Sequence, residues 1–179
     1  MTDTEFIENV TYEEISVGQN ARLIRTLTLE DIHAFAAVSG DTNPSHLDEE
    51  FADHTPFHGV VAHGMWGGAL ISALLGNQFP GAGTVYQDQV LYFVKPVRVG
   101  DTLVVTATVT RMEPEHKRVE FDCTVVNQRG ELVLRGTAGV KAPTQKVRLP
   151  KINAPRIQLF DPEARFKDLL AKGAGLEAV

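Results

Sequence analysis

The sequence has a single cysteine, Cys123, in 179 residues. An intrachain disulfide and a cysteine-rich metal site are therefore both excluded. Cys123 falls in an alternating apolar stretch, where it is expected to pack as a small hydrophobe. No run approaches the roughly 20 apolar residues needed to span a bilayer, and the opening stretch MTDTEFIENV lacks the basic region and apolar run of a secretory signal. A cytoplasmic location without a membrane partner is the expectation. Basic charge is also scarce: 17 Lys and Arg face 23 Asp and Glu, a net charge of −6. Nucleic-acid binding, which requires a basic face against phosphate, is not expected. No glycine-rich phosphate loop follows a strand, and no serine nucleophile elbow is present.

What is there is ordinary globular material, 43% hydrophobic and 22% charged, enough for one core. Asn20 to Thr28 has strand-like content. Thr28 then offers an N-cap for a helix over Leu29 to Val38, with Asp31 at the reciprocal capping-box position and Gly40 placed to end it. Ile32, Phe35 and Ala36 make its buried stripe. Asp41 to Val61 carries the turn signals Asn43-Pro44 and Thr55-Pro56 and reads as loop and short helix. From Gly64 to Leu75 the residues GMWGGALISALL are apolar on every face. Such a helix is expected to be buried all round, with its small residues admitting close neighbours. Four strand-length runs follow, Thr84 to Lys95, Thr102 to Met112, Lys117 to Asn127 and Glu131 to Lys141, read as successive antiparallel strands. They are expected to curve around the apolar helix, with Gly136 and Gly139 as places for a bend or bulge. Beyond Ala142 four prolines interrupt the pattern before a short helical stretch, EARFKDLLAKGAG.

The sharpest polar group is Asp41-Thr-Asn43-Pro44-Ser-His46. A proline turn that keeps this backbone out of helix lets a carboxylate and an imidazole converge on one water, removing a proton from it and returning one to a neighbouring atom. An Asx turn after a helix-ending glycine is the plain alternative. The second group is His63-Gly64-Met65 at the start of the apolar helix. Free N–H groups there stabilise negative charge, and Gly64 lets a carbonyl reach the main chain, an oxyanion-hole geometry; tight helix packing explains the same glycine. Ser72 lies two turns on, where a satisfied core hydroxyl is the commoner explanation. His46-Leu-Asp48 also matches half of a two-His-one-carboxylate iron site, with His54, His58, His63 or His116 as a third ligand. Solvated loop histidines account for that spacing equally, and no metal is assigned.

FAAVSGDTNPSHLD, VVAHGMWGGALISALLG and YFVKPVRVGD together resemble the MaoC-like dehydratases, the R-specific enoyl-CoA hydratases, over roughly Tyr12 to Pro143. The resemblance implies an α+β hot-dog fold, a curved antiparallel sheet wrapped around a central apolar helix. It implies that Asp41 and His46 are the catalytic pair, the Gly64 N–H the oxyanion donor, Ser72 a supporting hydroxyl and Asn43 the residue that holds the loop. The implied reaction is hydration of a trans-2-enoyl-CoA to the R-3-hydroxyacyl-CoA, or its reverse, with no cofactor and no metal, by a homodimer whose sheets join edge to edge. A thioesterase on the same fold, or a non-catalytic acyl-CoA-binding module, is the rival reading. Lys95, Arg98, Lys117 and Arg118 are candidates for the CoA phosphates only because they are basic. By this reading residues 1–142 are the hydratase domain, and 143–179 are an arm, either the joint to a second domain such as a phosphate acyltransferase or a tail packed on the partner subunit.

Overall fold

The computed structural model describes residues 5–155. In chain order the elements are β1 (Phe6–Glu8), a 3-10 turn (Tyr12–Glu14), β2 (Asn20–Thr26), α1 (Leu29–Ser39), α2 (Pro44–Leu47), α3 (Glu49–Asp53), α4 (Gly64–Asn77), β3 (Val85–Phe93), β4 (Thr102–Glu113), β5 (Arg118–Val126), β6 (Leu132–Lys141) and β7 (Arg148–Pro150). The expected helical stretch after Glu163 lies outside the described residues. No described helix is long and apolar enough to cross a membrane.

The α+β hot-dog arrangement is present. A five-stranded antiparallel sheet in the order β2-β4-β5-β6-β3 carries α4 on one face. In β4, Leu103, Val105, Ala107 and Val109 point inward and are buried, while Val104, Thr106 and Thr108 between them point outward, as a two-residue period requires. Val119, Phe121, Cys123 and Val125 repeat the pattern on β5. Each fully buried aliphatic or aromatic side chain contributes about 1.5–3 kcal/mol, and Trp66, Ile71, Leu74 and Leu75 of α4 complete this core.

Of the four runs, β4, β5 and β6 are successive antiparallel neighbours, and the first, β3, is displaced. β3 pairs with β6, and β2, which precedes all the helices, takes the place beside β4. The connection from β3 to β4 therefore passes across the sheet, and β2 and β3 become its edges. The ladder between β3 and β6 slips between Tyr86 and Asp88, opposite Gly139. At Gly136 a Cβ would collide with the Val90 carbonyl oxygen, so a glycine is needed where these strands approach.

The capping box at α1 forms as expected. Asp31 N–H donates to Thr28 Oγ1 at 3.1 Å and Thr28 N–H to Asp31 Oδ2 at 3.0 Å. Gly40, at φ 74°, closes the helix in the left-handed region that favours glycine. In α4 the inward face uses Gly67 and Gly68, where a Cβ would stand 3.1 Å from Leu134 and 3.0 Å from Leu91. Among the described residues the helix is not buried all round, however. Met65 is 56% exposed, and Ala69 and Ser72 share its open face beside β3. Apolar character on every side is satisfied here by one sheet on one side only.

The chain after Ala142 turns back onto the N-terminus. β7 pairs with β1, and the buried Asn9 side chain donates to the Ala82 and Gln145 carbonyls while accepting from the Val147 N–H. Lys146 to Glu14, Arg148 to Glu8 and Lys151 to Glu5 are ion pairs along this clasp.

Candidate active site

Gly40 turns the chain out of α1 and delivers Asp41 to the surface. Asp41 Oδ1 accepts from the Asn43 N–H at 3.2 Å, so the Asx turn does form. Asn43 in turn caps α2, its side-chain oxygen accepting from the Ser45 N–H at 3.0 Å. Pro44 does not keep the segment out of helix. It occupies the first turn of α2, where its missing N–H costs nothing and its fixed φ favours helix. That single turn is what presents His46.

The His46 ring is locked from one side. Its Nδ1 lies 2.8 Å from the Val61 carbonyl oxygen, so Nδ1–H donates and the lone pair sits on Nε2. Val61 is itself held by the turn YFVKPVRVGD. It bridges Arg98, and the Ala62 N–H donates to the Val97 carbonyl at 2.8 Å. Asp101 braces that turn by accepting from the Arg98 N–H at 2.9 Å and from Gln128 Nε2 at 2.8 Å. Burial alone would raise the Asp101 carboxyl, but these donors and the Arg129 guanidinium outweigh it and hold it below the usual range. The Arg98 side chain reaches back to the Phe57 and His58 carbonyls.

His63, which the sequence places in the His63-Gly64-Met65 group and among the alternative metal ligands without a role in the Asp41–His46 pair, closes the other side. It is 3% exposed, its ring centroid is 3.9 Å from that of His46, and its Nε2 is 2.9 Å from the Asp41 carbonyl oxygen. A polar ring inside the apolar run Val60-Val61-Ala62 was the available signal, since such a side chain is buried only when it has a partner. A carboxylate oxygen of Asp41 and one ring nitrogen each of His46 and His63 lie within 4.8 Å of one another. Two hydrogen bonds of 2.7–2.8 Å to one water span about 5.5 Å, and the separation of these atoms is below that reach.

Gly64 is the first residue of α4, and no side chain caps that end, so its amide is available to a ligand. A Cβ there would stand 3.1 Å from the Phe93 ring. His46, His63 and Gly64 line a cavity of about 380 Å³ whose remaining wall is apolar except for Lys95, with Trp66, Phe93 and Leu134 among its residues. Ser72 is elsewhere: it lines a separate shallow hollow with Met65, Tyr86 and Gln89 on the open face of α4. Eight residues of helix put it about 12 Å along the axis from Gly64.

Asp41, His46 and His63 offer a carboxylate and two imidazoles, a set able to hold a divalent cation. The sequence pairing with Asp48 does not form, because Asp48 caps α3 through the Phe51 N–H. His54 and His116 are bonded locally, to the Glu50 carbonyl and to Glu113. The four cations considered for CoA phosphates are engaged within the chain: Lys95 with Glu131, Arg98 with the loop carbonyls, Lys117 with Glu13, and Arg118 with Asp88 and Glu120.

The family model described as "MaoC like domain" matches residues 12–129. The chain is 45% identical over 136 residues to an (R)-specific enoyl-CoA hydratase of Rhodospirillum rubrum, covering 75% of this chain and 92% of that protein. It is 42% identical over 135 residues to a 3-hydroxybutyryl-CoA dehydratase of Methylorubrum extorquens, covering 75% of this chain and 85% of that one. Among solved structures, the unliganded R-hydratase PhaJ1 of Pseudomonas aeruginosa superposes with a TM-score of 0.82 at 40% identity, covering 87% of this chain and 100% of that chain.

Proposed function

The chain belongs to the MaoC-like dehydratase family, and from that membership we propose that it is an enoyl-CoA hydratase working through Asp41 and His46 on one water. The observation that carries the mechanism is the approach of the Asp41 carboxylate to the His46 ring, with His46 and the uncapped amide of Gly64 lining one largely apolar cavity. Water held between the two gives a proton to His46 Nε2 as its oxygen attacks C3 of the trans-2-enoyl group, while Asp41 accepts the second hydrogen bond of the same water. The carbon–carbon double bond opens toward the thioester, and the Gly64 N–H meets the negative charge on the acyl oxygen. Removing one such donor costs about 2.7–4 kcal/mol in enzymes that depend on it. The imidazolium then returns its proton to C2 on the same face, giving the R-3-hydroxyacyl-CoA. Water supplies every atom added.

Asn43 serves the site by shaping the loop between the pair. Ser72 supports it only if the acyl group runs along α4 or if a second copy brings the hollow near. The same reading includes a homodimer: β3 is an edge strand with an open ladder, and Val85, Val90 and Tyr92 on it are exposed beside the uncovered face of α4. The hydratase domain ends near Ala142, and the extension begins as the clasp to β1.

The deciding experiment is crotonyl-CoA hydration followed by loss of enoyl absorbance, with free thiol measured in parallel. Loss of absorbance with no thiol supports the proposal. Thiol release would point to thioester hydrolysis, and tight binding without either change to a binding module; both would overturn it.

A further inference from the structure

His63 joins three segments that the proposed chemistry needs in register. Its main-chain carbonyl accepts from the Trp66 N–H at 3.0 Å and so opens α4, which sets the direction of the Gly64 amide. The Nε2–H of its ring donates to the Asp41 carbonyl at 2.9 Å, tying down the loop that carries the carboxylate. The face of that ring lies between Phe35, at 5.1 Å, and His46, at 3.9 Å. Its other nitrogen, Nδ1, is buried and has no hydrogen-bond partner among the described residues.

An unpartnered buried nitrogen lowers stability, because the group has lost water and gained nothing. A phenyl ring of similar size would fill the space without that cost. Packing alone therefore does not account for an imidazole at this place. We infer that His63 is a positioning residue for the hydration reaction: it sets the separation of Asp41 and His46 through one hydrogen bond and one ring contact. The inference rests on the hydratase reading, and its two contacts are separable by substitution. His63→Phe keeps a ring against His46 and Phe35 and deletes the donor to Asp41. His63→Gln keeps a donor and deletes the ring.

Both variants are compared with the wild-type protein by thermal melting, by kcat and KM on crotonyl-CoA, and by NMR of the His46 imidazole nitrogens. His63→Phe is expected to melt at or above the wild-type temperature, yet lose about tenfold to a hundredfold in kcat with KM held within about twofold, the size of effect that misplacing reacting groups produces. A residue that only packs would move melting and leave kcat of the folded protein alone. His63→Gln is expected to lose kcat similarly and, with the ring face gone, to shift the His46 imidazole resonances while the Val61 carbonyl keeps the Nδ1–H form. Wild-type kcat in a folded His63→Phe, or His46 imidazole resonances unmoved in His63→Gln, overturns the inference. Should wild-type protein not hydrate crotonyl-CoA, the hydratase reading falls, and the imidazole spectra alone then decide whether His63 positions His46.

Discussion

The Nδ1 of His46 and the carbonyl oxygen of Val61 are 2.8 Å apart, although α3 and the loop that follows it separate the two residues in the chain. That bond decides which nitrogen faces the reactants, so replacing His46 tests orientation and proton transfer separately. In His46→Asn the side-chain amide can still donate to Val61, but nothing remains at the Nε2 position to take a proton. The expected loss is about 10²–10⁴ in kcat, the range for a missing general acid–base group, with the fold unchanged because His46 sits on a single exposed turn. Steady-state rates and circular dichroism check it. A near-native rate would remove His46 from the mechanism.

Asp41→Asn is the companion test. The amide oxygen can still accept from the Asn43 N–H, so the turn survives. The carboxylate that holds the second hydrogen of the water is gone. A loss in kcat of the same order is expected, and the double variant should lose little beyond either single, since the two groups act on one molecule.

Local features of this chain were legible because their partners are near in sequence. Thr28, Asp31 and Gly40 specify α1 within twelve positions, and the alternation along TLVVTATVT assigns the inner face of β4 without knowing its neighbours. The Asp41–His46 turn was legible for the same reason. Strand order was not: β3 stands beside β6, a choice made by the crossing of the whole sheet and not by anything in Val85–Phe93 itself. His63 was read with Gly64 as the start of a helix, because the ring it touches and the carbonyl it binds belong to segments brought close only by the fold. For α4 the error lay in equating apolar with buried. Its open face is left uncovered by the described residues.

Gly64 tests the acyl-oxygen site. The Phe93 ring leaves 3.1 Å for a Cβ, so Gly64→Ala must push the ring or the helix start aside, and either shifts the amide from its target. A fall of about tenfold or more in kcat is expected, short of the roughly 10²–10³ that losing an oxyanion donor outright costs. Adding Phe93→Leu should restore part of it, since the smaller side chain gives the methyl room. Absence of any recovery in the pair would separate Phe93 from the defect.

The open edge of β3 carries the dimer prediction. Val90 is 49% exposed on that strand, and a charge there opposes edge-to-edge pairing without disturbing the inward residues Gln89 and Leu91. Light scattering after size exclusion should give twice the chain mass of 19.6 kDa for the wild type and the single-chain mass for Val90→Lys. Wild-type protein running as a monomer would contradict the edge-joined arrangement.

Acid should loosen the clasp between the two ends of the domain. Lys146, followed by the Thr11 main chain and hydroxyl, lowers the Glu14 carboxyl from 4.5 to about 2. A carboxyl lowered by folding contributes stability above its unfolded value, and the contribution disappears as pH falls from about 4.5 toward 2. Glu14 is exposed, so the effect is modest and shrinks with salt. Hydrogen exchange at Val147 and Arg148 should quicken across that interval, and Glu14→Gln should show the quick exchange already at neutral pH. Exchange that ignores both pH and the substitution would detach Glu14 from the clasp.

Cys123 makes the thiol assay clean. It is fully buried between β4 and β6, and burial, with Asp122 beside it, pushes its thiol up to about 12. The reactive form is the thiolate, so near neutral pH both its low population and its lack of access protect this residue. A disulfide reagent should therefore leave native protein unlabelled and titrate one thiol per chain only after denaturation. Any thiol that appears during turnover must then come from CoA, and its time course distinguishes addition of water to C3 from attack on the thioester carbonyl. Rapid labelling of the native chain would show that the sheet opens at β5, and would also remove the thiol measurement as a discriminator between the two reactions.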